Sequence, residues 1–162
     1  MKTEEMPTRP GSSAFGIKRI LVPVDFSDSS SNAVKYARHI GELTTAALIF
    51  INVIEPDGSG ALEALPSVCI EELKANAEEN LRALVQAARE SGIKGATSIS
   101  RSGMPTHEIV EAAKESDVDL IVIATHGYTG WKHFCIGSTA ERAVRAAPCP
   151  VLVVREKEHD FI

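Results

Sequence analysis

Apolar positions along the chain follow two periods that alternate. Residues 18–24 (KRILVPV) and 46–54 (AALIFINVI) are short runs of consecutive apolar, often β-branched residues, and 118–124 (VDLIVIA) and 150–154 (PVLVV) are two more. A strand with one wet face alternates. A run without alternation suits a strand covered on both faces, as in a parallel sheet. Residues 96–101 (ATSISR) read as a fifth, more polar strand. Between these runs the period changes to that of a helix. Residues 28–40 put Ala33, Val34, Ala37 and Ile40 on one face, with Gly41 placed to end the segment. Residues 69–91 put Ile70, Leu73, Ala77, Leu81, Leu84 and Ala88 at steps of three and four, and Gly92 is the expected stop. Residues 105–116 begin with Pro105, tolerated in a first turn, and carry Ile109, Val110 and Ala113. Residues 138–147 open with Ser138-Thr139-Ala140-Glu141, the spacing of a capping box.

The predicted order is β-α-β-α-β-α-β-α-β. Strict alternation implies an α/β fold: an open, five-stranded parallel sheet with helices on both faces and right-handed crossovers. One connection, 55–68 (EPDGSGALEALPSV), exceeds the usual loop length, which marks it as mobile or as a cover over a site. Residues 1–16 hold two prolines and several charges and read as a flexible tail. Residues 17–156 form one domain, and 157–162 a second short tail.

Composition narrows the classes. The chain has 162 residues, of which 44% are hydrophobic and 24% charged, as in ordinary soluble domains. Its net charge of −5 comes without a basic cluster, so nucleic acid is not an expected partner. No apolar run reaches the roughly 20 residues that span a bilayer, and the start has no apolar core of a secretory signal. Cys69, Cys135 and Cys149 are odd in number and far apart. They form neither a disulfide framework nor a zinc pattern, and the expectation is inert thiols in a cytoplasmic protein.

In open α/β sheets ligands bind beyond the carboxyl ends of strands, where the strand order reverses. The first strand leads into Pro23-Val24-Asp25-Phe26-Ser27. The fourth leads into Ala124-Thr125-His126-Gly127-Tyr128-Thr129-Gly130, a loop that runs on to Gly137-Ser138-Thr139 at the start of the last helix. Gly127, Gly130 and Gly137 let backbone approach an anion closely, and the first N–H groups of a helix are free donors aided by its dipole. The same residues also read as a flexible loop before an ordinary capped helix. Neither a Walker loop nor a dinucleotide fingerprint is present, since no Gly-Lys-[Ser/Thr] occurs and the glycine spacing differs. Asp25 is placed to accept from ribose hydroxyls, or to cap the helix that starts near Asp28. His126, Lys132 and His133 read as phosphate contacts or as ordinary loop residues. Trp131 reads as a partner contact or as local packing.

Four segments together resemble the universal stress protein family: residues 20–27 (ILVPVDFS), 119–127 (DLIVIATHG), 137–142 (GSTAER) and 147–154 (APCPVLVV). The match extends over nearly all of 17–155. The family's nucleotide-binding branch carries Gly-x2-Gly-x9-Gly-[Ser/Thr]; here the positions are Ala124, Gly127, Gly137 and Ser138. The nine-residue spacing holds, and Ala124 departs from the pattern. The added methyl is expected to crowd a phosphate if the backbone there needs a positive φ. The resemblance implies a Rossmann-like fold of the adenine nucleotide α-hydrolase kind, with strand order 3-2-1-4-5. It implies that Val24, Val53 and Ile123 line an adenine pocket, that Asp25 holds the ribose and that Gly127, Gly137, Ser138 and Thr139 hold the phosphates. Pro23, Ala124, His126 and Gly130 belong to the same expected nucleotide site.

The ligand so implied is ATP, or AMP or ADP, with Mg²⁺. In that strand order the last strand is an edge, and Val151, Leu152, Val153 and Val154 carry no charge or proline to block pairing. A homodimer through this strand is expected, and the family's habit agrees. The expected role is an adenine-nucleotide-binding regulator of the stress response with an unknown protein partner, and not an enzyme. The alternatives are a dimeric interaction module that binds no nucleotide, and a slow ATPase.

Overall fold

The computed structural model describes residues 16–55, 67–125 and 137–155. Its elements are β1 (Arg19–Pro23), α1 (Asp28–Thr44), β2 (Ala47–Ile54), α2 (Ser67–Glu90), β3 (Thr97–Ser102), α3 (Pro105–Glu115), β4 (Leu120–Ala124), α4 (Ser138–Ala146) and β5 (Val151–Val154). The five strands are parallel, in the order β3-β2-β1-β4-β5. β1 lies between β2 and β4, with Ile20 opposite both Leu48 and Leu120. The chain builds outward from β1 to β3, then returns to β1's other side for β4 and β5. The strand order therefore reverses between β1 and β4.

Unbroken apolar strands form because both faces are covered. On one face Ile20, Val22, Leu48 and Phe50 pack under Ala33, Val34 and Ala37 of α1 and Leu81 and Ala88 of α2. On the other, Leu21, Ile51, Ile121 and Ile123 pack under Ile109 and Ala113 of α3 and Ala140 and Ala143 of α4. At the amino ends of the strands, Asp119 Oδ2 accepts from the backbone N–H groups of Lys18 (2.8 Å) and Arg19 (2.9 Å), while its own N–H donates to Arg19 O. This clamp sets β4 against β1. The two N–H donors hold the Asp119 carboxyl below the usual carboxylate range.

Three local expectations are corrected. Gly41 does not end α1, which runs on to Thr44 and closes with Thr45 in the left-handed region at φ 59°. Gly41 is there for packing: a Cβ would lie 3.3 Å from both Ile93 Cδ1 and Leu48 Cδ2. Leu73 does not join the core. It is 45% exposed, and fully buried positions on α2 begin at Ala77. The capping box at Ser138 does not form. Gly137 is the N-cap of α4, no side chain caps it, and Glu141 accepts from Arg145 instead (3.0 Å). Gly92 does stop α2, with φ 104°, and Pro105 does open α3.

Candidate functional site

A cavity of about 300 Å³ opens at the carboxyl ends of β1 and β4. Its position follows from the strand order, because crossovers leave β1 and β4 in opposite directions and part there.

The β1 side is built by an unusual turn. Val24 N–H donates to Ile51 O (2.8 Å), and buried Asn52 donates through Nδ2 to Val24 O (2.9 Å), so β2 holds this residue at both backbone groups. The chain then turns through Phe26 at φ 63°, a region that bulky residues rarely adopt. Ser27 caps α1, its Oγ accepting from Ser30 N–H (3.2 Å). Asp25 is therefore not the helix cap. Its Oδ1 accepts from both Ser27 Oγ (2.6 Å) and Ser27 N–H (3.1 Å), which orients the carboxylate at the cavity wall.

The β4 side is tied to α4 by one residue. Thr125 N–H donates to Val154 O (2.8 Å), and its carbonyl accepts from Gly137 N–H (2.7 Å). This places the first turn of α4 at the end of β4, where Gly137, Ser138 and Thr139 line the cavity. With no side chain capping this turn, its N–H groups suit an anion.

Of the predicted site residues, Pro23, Val24, Asp25, Val53, Ile123, Ala124, Gly137, Ser138 and Thr139 all line this one cavity. His126, Gly127 and Gly130 lie outside the described residues, as do Trp131, Lys132, His133 and Cys135. The condition under which Ala124 would crowd a phosphate, a positive φ, is not met. Ala124 ends β4 in register with Val154, has no positive φ, and packs into the core beneath α1. Its methyl meets no backbone strain.

Sequence reasoning missed other lining residues, among them Glu55 after β2, Ser30 of α1, and Pro105 and Ile109 of α3. A signal for the last two was present in Gly103-x-Pro105. Gly103 sits at φ 149°, and a Cβ there would meet Glu108 Oε1 at 2.9 Å. Glu108 pairs with Arg101 (3.4 Å), which also pairs with Glu115, so α3 is braced where it forms the wall. The carboxylate of Glu115, and less strongly that of Glu108, holds the Arg101 guanidinium more firmly protonated than usual. Asp25 and Glu55 are the charged groups on the described lining, and both are acidic. The cavity thus pairs apolar walls and carboxylates at the β1–β2 side with helix N–H donors at the other. That is the polarity of a ligand with a flat apolar part, hydroxyls and an anionic end.

Comparison with known proteins identifies the family and supports the fold. The model of the universal stress protein family matches residues 16–155. Universal stress protein MJ0531 of Methanocaldococcus jannaschii is 37% identical over 145 residues, covering 88% of this chain and 85% of that one. Among solved structures, universal stress protein UspA from Lactobacillus plantarum superposes with a TM-score of 0.77 at 30% identity, covering 86% of this chain and 98% of that one. A universal stress protein in complex with cAMP superposes with a TM-score of 0.66 at 25% identity, covering 87% and 98%.

Proposed function

Because the chain belongs to the universal stress protein family, we propose that it is a regulatory protein that binds an adenine nucleotide between β1 and β4. The observation that carries this reading is the convergence of nine residues, chosen from four separate sequence segments, on one cavity. A related structure holds cAMP, which is an adenine nucleotide on the same fold. In this reading Val24, Val53 and Ile123 enclose the base. Asp25, held by Ser27, accepts from the ribose hydroxyls. Gly137, Ser138 and Thr139 donate to phosphate at the head of α4, with His126, Gly127 and Gly130 completing the loop. Mg²⁺ brings charge neutralisation to the phosphates when bound. Glu55 is a lining carboxylate with the hard oxygen donors such a cation takes.

The reading includes a homodimer. β5 pairs with β4 on one side only, and Val151, Leu152 and Val153 remain partly exposed. An apolar edge of this kind is normally covered.

The protein as purified, untagged, is the test. After denaturation, chromatography with mass spectrometry identifies what it carried, and a near-stoichiometric adenine nucleotide supports the reading. A protein that is empty and ignores added ATP, ADP, AMP and cAMP overturns it, and leaves the dimeric module that binds no nucleotide. A slow ATPase would need a group that orients water at the γ-phosphate. Phosphate release that persists unchanged in Asp25→Ala counts against that activity.

A further inference from the structure

β3 is the edge of the sheet opposite β5, and its six residues outnumber the four of β5. Its pairing with β2 fixes where its backbone groups point. Gly103 N–H, just past the strand, donates to Ile54 O (3.1 Å), so the odd-numbered residues turn their N–H and C=O groups toward β2. The even-numbered Ser98, Ser100 and Ser102 turn theirs outward, and all three residues are exposed. Neither lysine nor proline occurs in Thr97–Ser102 to guard this row.

The outward carbonyl before the row is held by a cation. Ala96 O accepts from Arg89 Nε (3.2 Å) and Nη2 (2.9 Å), which fixes the guanidinium of this α2 residue beside the edge. Arg82 lies two turns back on the same stripe of α2. It is largely exposed, and Glu78 reaches it only at 3.5 Å. A groove of about 710 Å³ runs between helix and edge, with Arg82, Val85, Gln86 and Arg89 on one side and Thr97 and Ser98 on the other. Glu90 is the one acid on its described lining, and it accepts from Gln86 (2.9 Å). The groove shares no residue with the cavity at β1 and β4. On the other face of the edge, Arg101 is taken up by Glu108 and Glu115 of α3.

We propose that the β3 edge docks an extended acidic segment of a partner protein, which joins the sheet as a further strand. Its backbone pairs with Ser98, Ser100 and Ser102, and every second side chain falls on the α2 side. Carboxylates at those positions meet Arg82 and Arg89. A second copy of this chain suits the edge less well. Paired antiparallel about a two-fold axis, it would keep its own α2 on the same side of the sheet and bring arginines to arginines.

The test is a titration of the full-length, ¹⁵N-labelled protein with a capped hexapeptide of alternating Glu and Val, and separately with its Lys-Val counterpart. The Glu-Val peptide is expected to shift the Ser98, Ser100 and Ser102 amide signals saturably, to slow their hydrogen exchange, and to bind at least tenfold more tightly than the Lys-Val peptide. N-methylation of one alternate set of its amides abolishes binding, while methylation of the other set is tolerated, since only one set faces the edge. Ser100→Pro removes an N–H that points away from β2, so binding is lost with no bond of the parent sheet broken. Arg82→Gln, at an exposed position, narrows the preference between the two peptides. Equal affinity for both peptides, no saturable shift with millimolar Glu-Val peptide, or saturable shifts at residues remote from β3 overturns the proposal. Shifts at Ser98–Ser102 that follow protein concentration without peptide assign the edge to a second copy and overturn it as well.

Discussion

Phe26 carries a conformation that its side chain opposes. At φ 63° a Cβ crowds the following carbonyl, at a cost of roughly 1–2 kcal/mol. The turn is held by the Asp25–Ser27 bonds and by the Ser27 cap of α1. Replacing Phe26 also loses partly buried ring surface, so a comparison of two small residues isolates the strain. Phe26→Gly is expected to be about 1 kcal/mol more stable than Phe26→Ala, the reverse of their order in most contexts. Equal midpoints in urea would show that the turn is relaxed. Ala124 is the opposite case, a departure from the family motif without strain. Ala124→Gly is therefore expected to leave nucleotide affinity within about twofold, well under the tenfold that 1.4 kcal/mol represents. A large gain in calorimetry would mean that the methyl does crowd the ligand. Asp119 sets a pH dependence. Its folded pKa lies below its unfolded value, so its contribution is present above about pH 4 and is lost as pH falls through the folded value. Since the group is near the surface, Asp119→Ala is expected to cost only about 1 kcal/mol at pH 7. The variant and the parent should converge in stability as pH approaches 2. A gap that stays constant from pH 7 to pH 2 would assign the loss to packing.

Elements were legible wherever one local cause decided them. Four of the five strands announced themselves by apolar runs without alternation, β3 was readable only as a shorter polar stretch, and Gly92 and Pro105 marked helix ends through backbone chemistry alone. The misreadings share a different cause, which is contact with distant residues. Gly41 looked like a stop because nothing local shows that Ile93 and Leu48 crowd it. Leu73 looked like core because periodicity cannot tell where α2 outruns the sheet. Ser138 looked like a cap, but the bond from Gly137 N–H to Thr125 O moves the helix start back by one residue. The same limit applies to the site. Asp25 follows β1, and Gly137 to Thr139 stand at a glycine-marked helix start, so both were readable, whereas Pro105 and Ile109 reach the cavity on a crossover helix. At this scale the proposed dimer also has its test. Val151→Lys places a charge on the partly exposed start of β5, and sedimentation is expected to show monomer where the parent shows dimer. A parent that sediments as a monomer would remove the dimer from the account. Burial raises the Cys149 thiol just before this strand above its ordinary value. It should alkylate more slowly at pH 8 than the same cysteine in the unfolded chain, as mass mapping of labelled peptides will read.

For the whole molecule, the fold matters because it brings remote segments to one place. β1 and β4 are about a hundred residues apart in sequence, yet they are neighbours at the point where the order reverses. The carboxylate of Asp25 and the uncapped head of α4 face one cavity for that reason. Among the described residues no helix is long and apolar enough to cross a membrane. Calorimetric titration of ATP with Mg²⁺ into the nucleotide-free parent and into Asp25→Ala tests the central claim most directly. Saturable binding at one site per chain, weakened at least tenfold in Asp25→Ala with its fold retained, is the predicted result. Equal affinity in the two proteins, or no heat of binding in the parent, would contradict the claim that this cavity holds an adenine nucleotide.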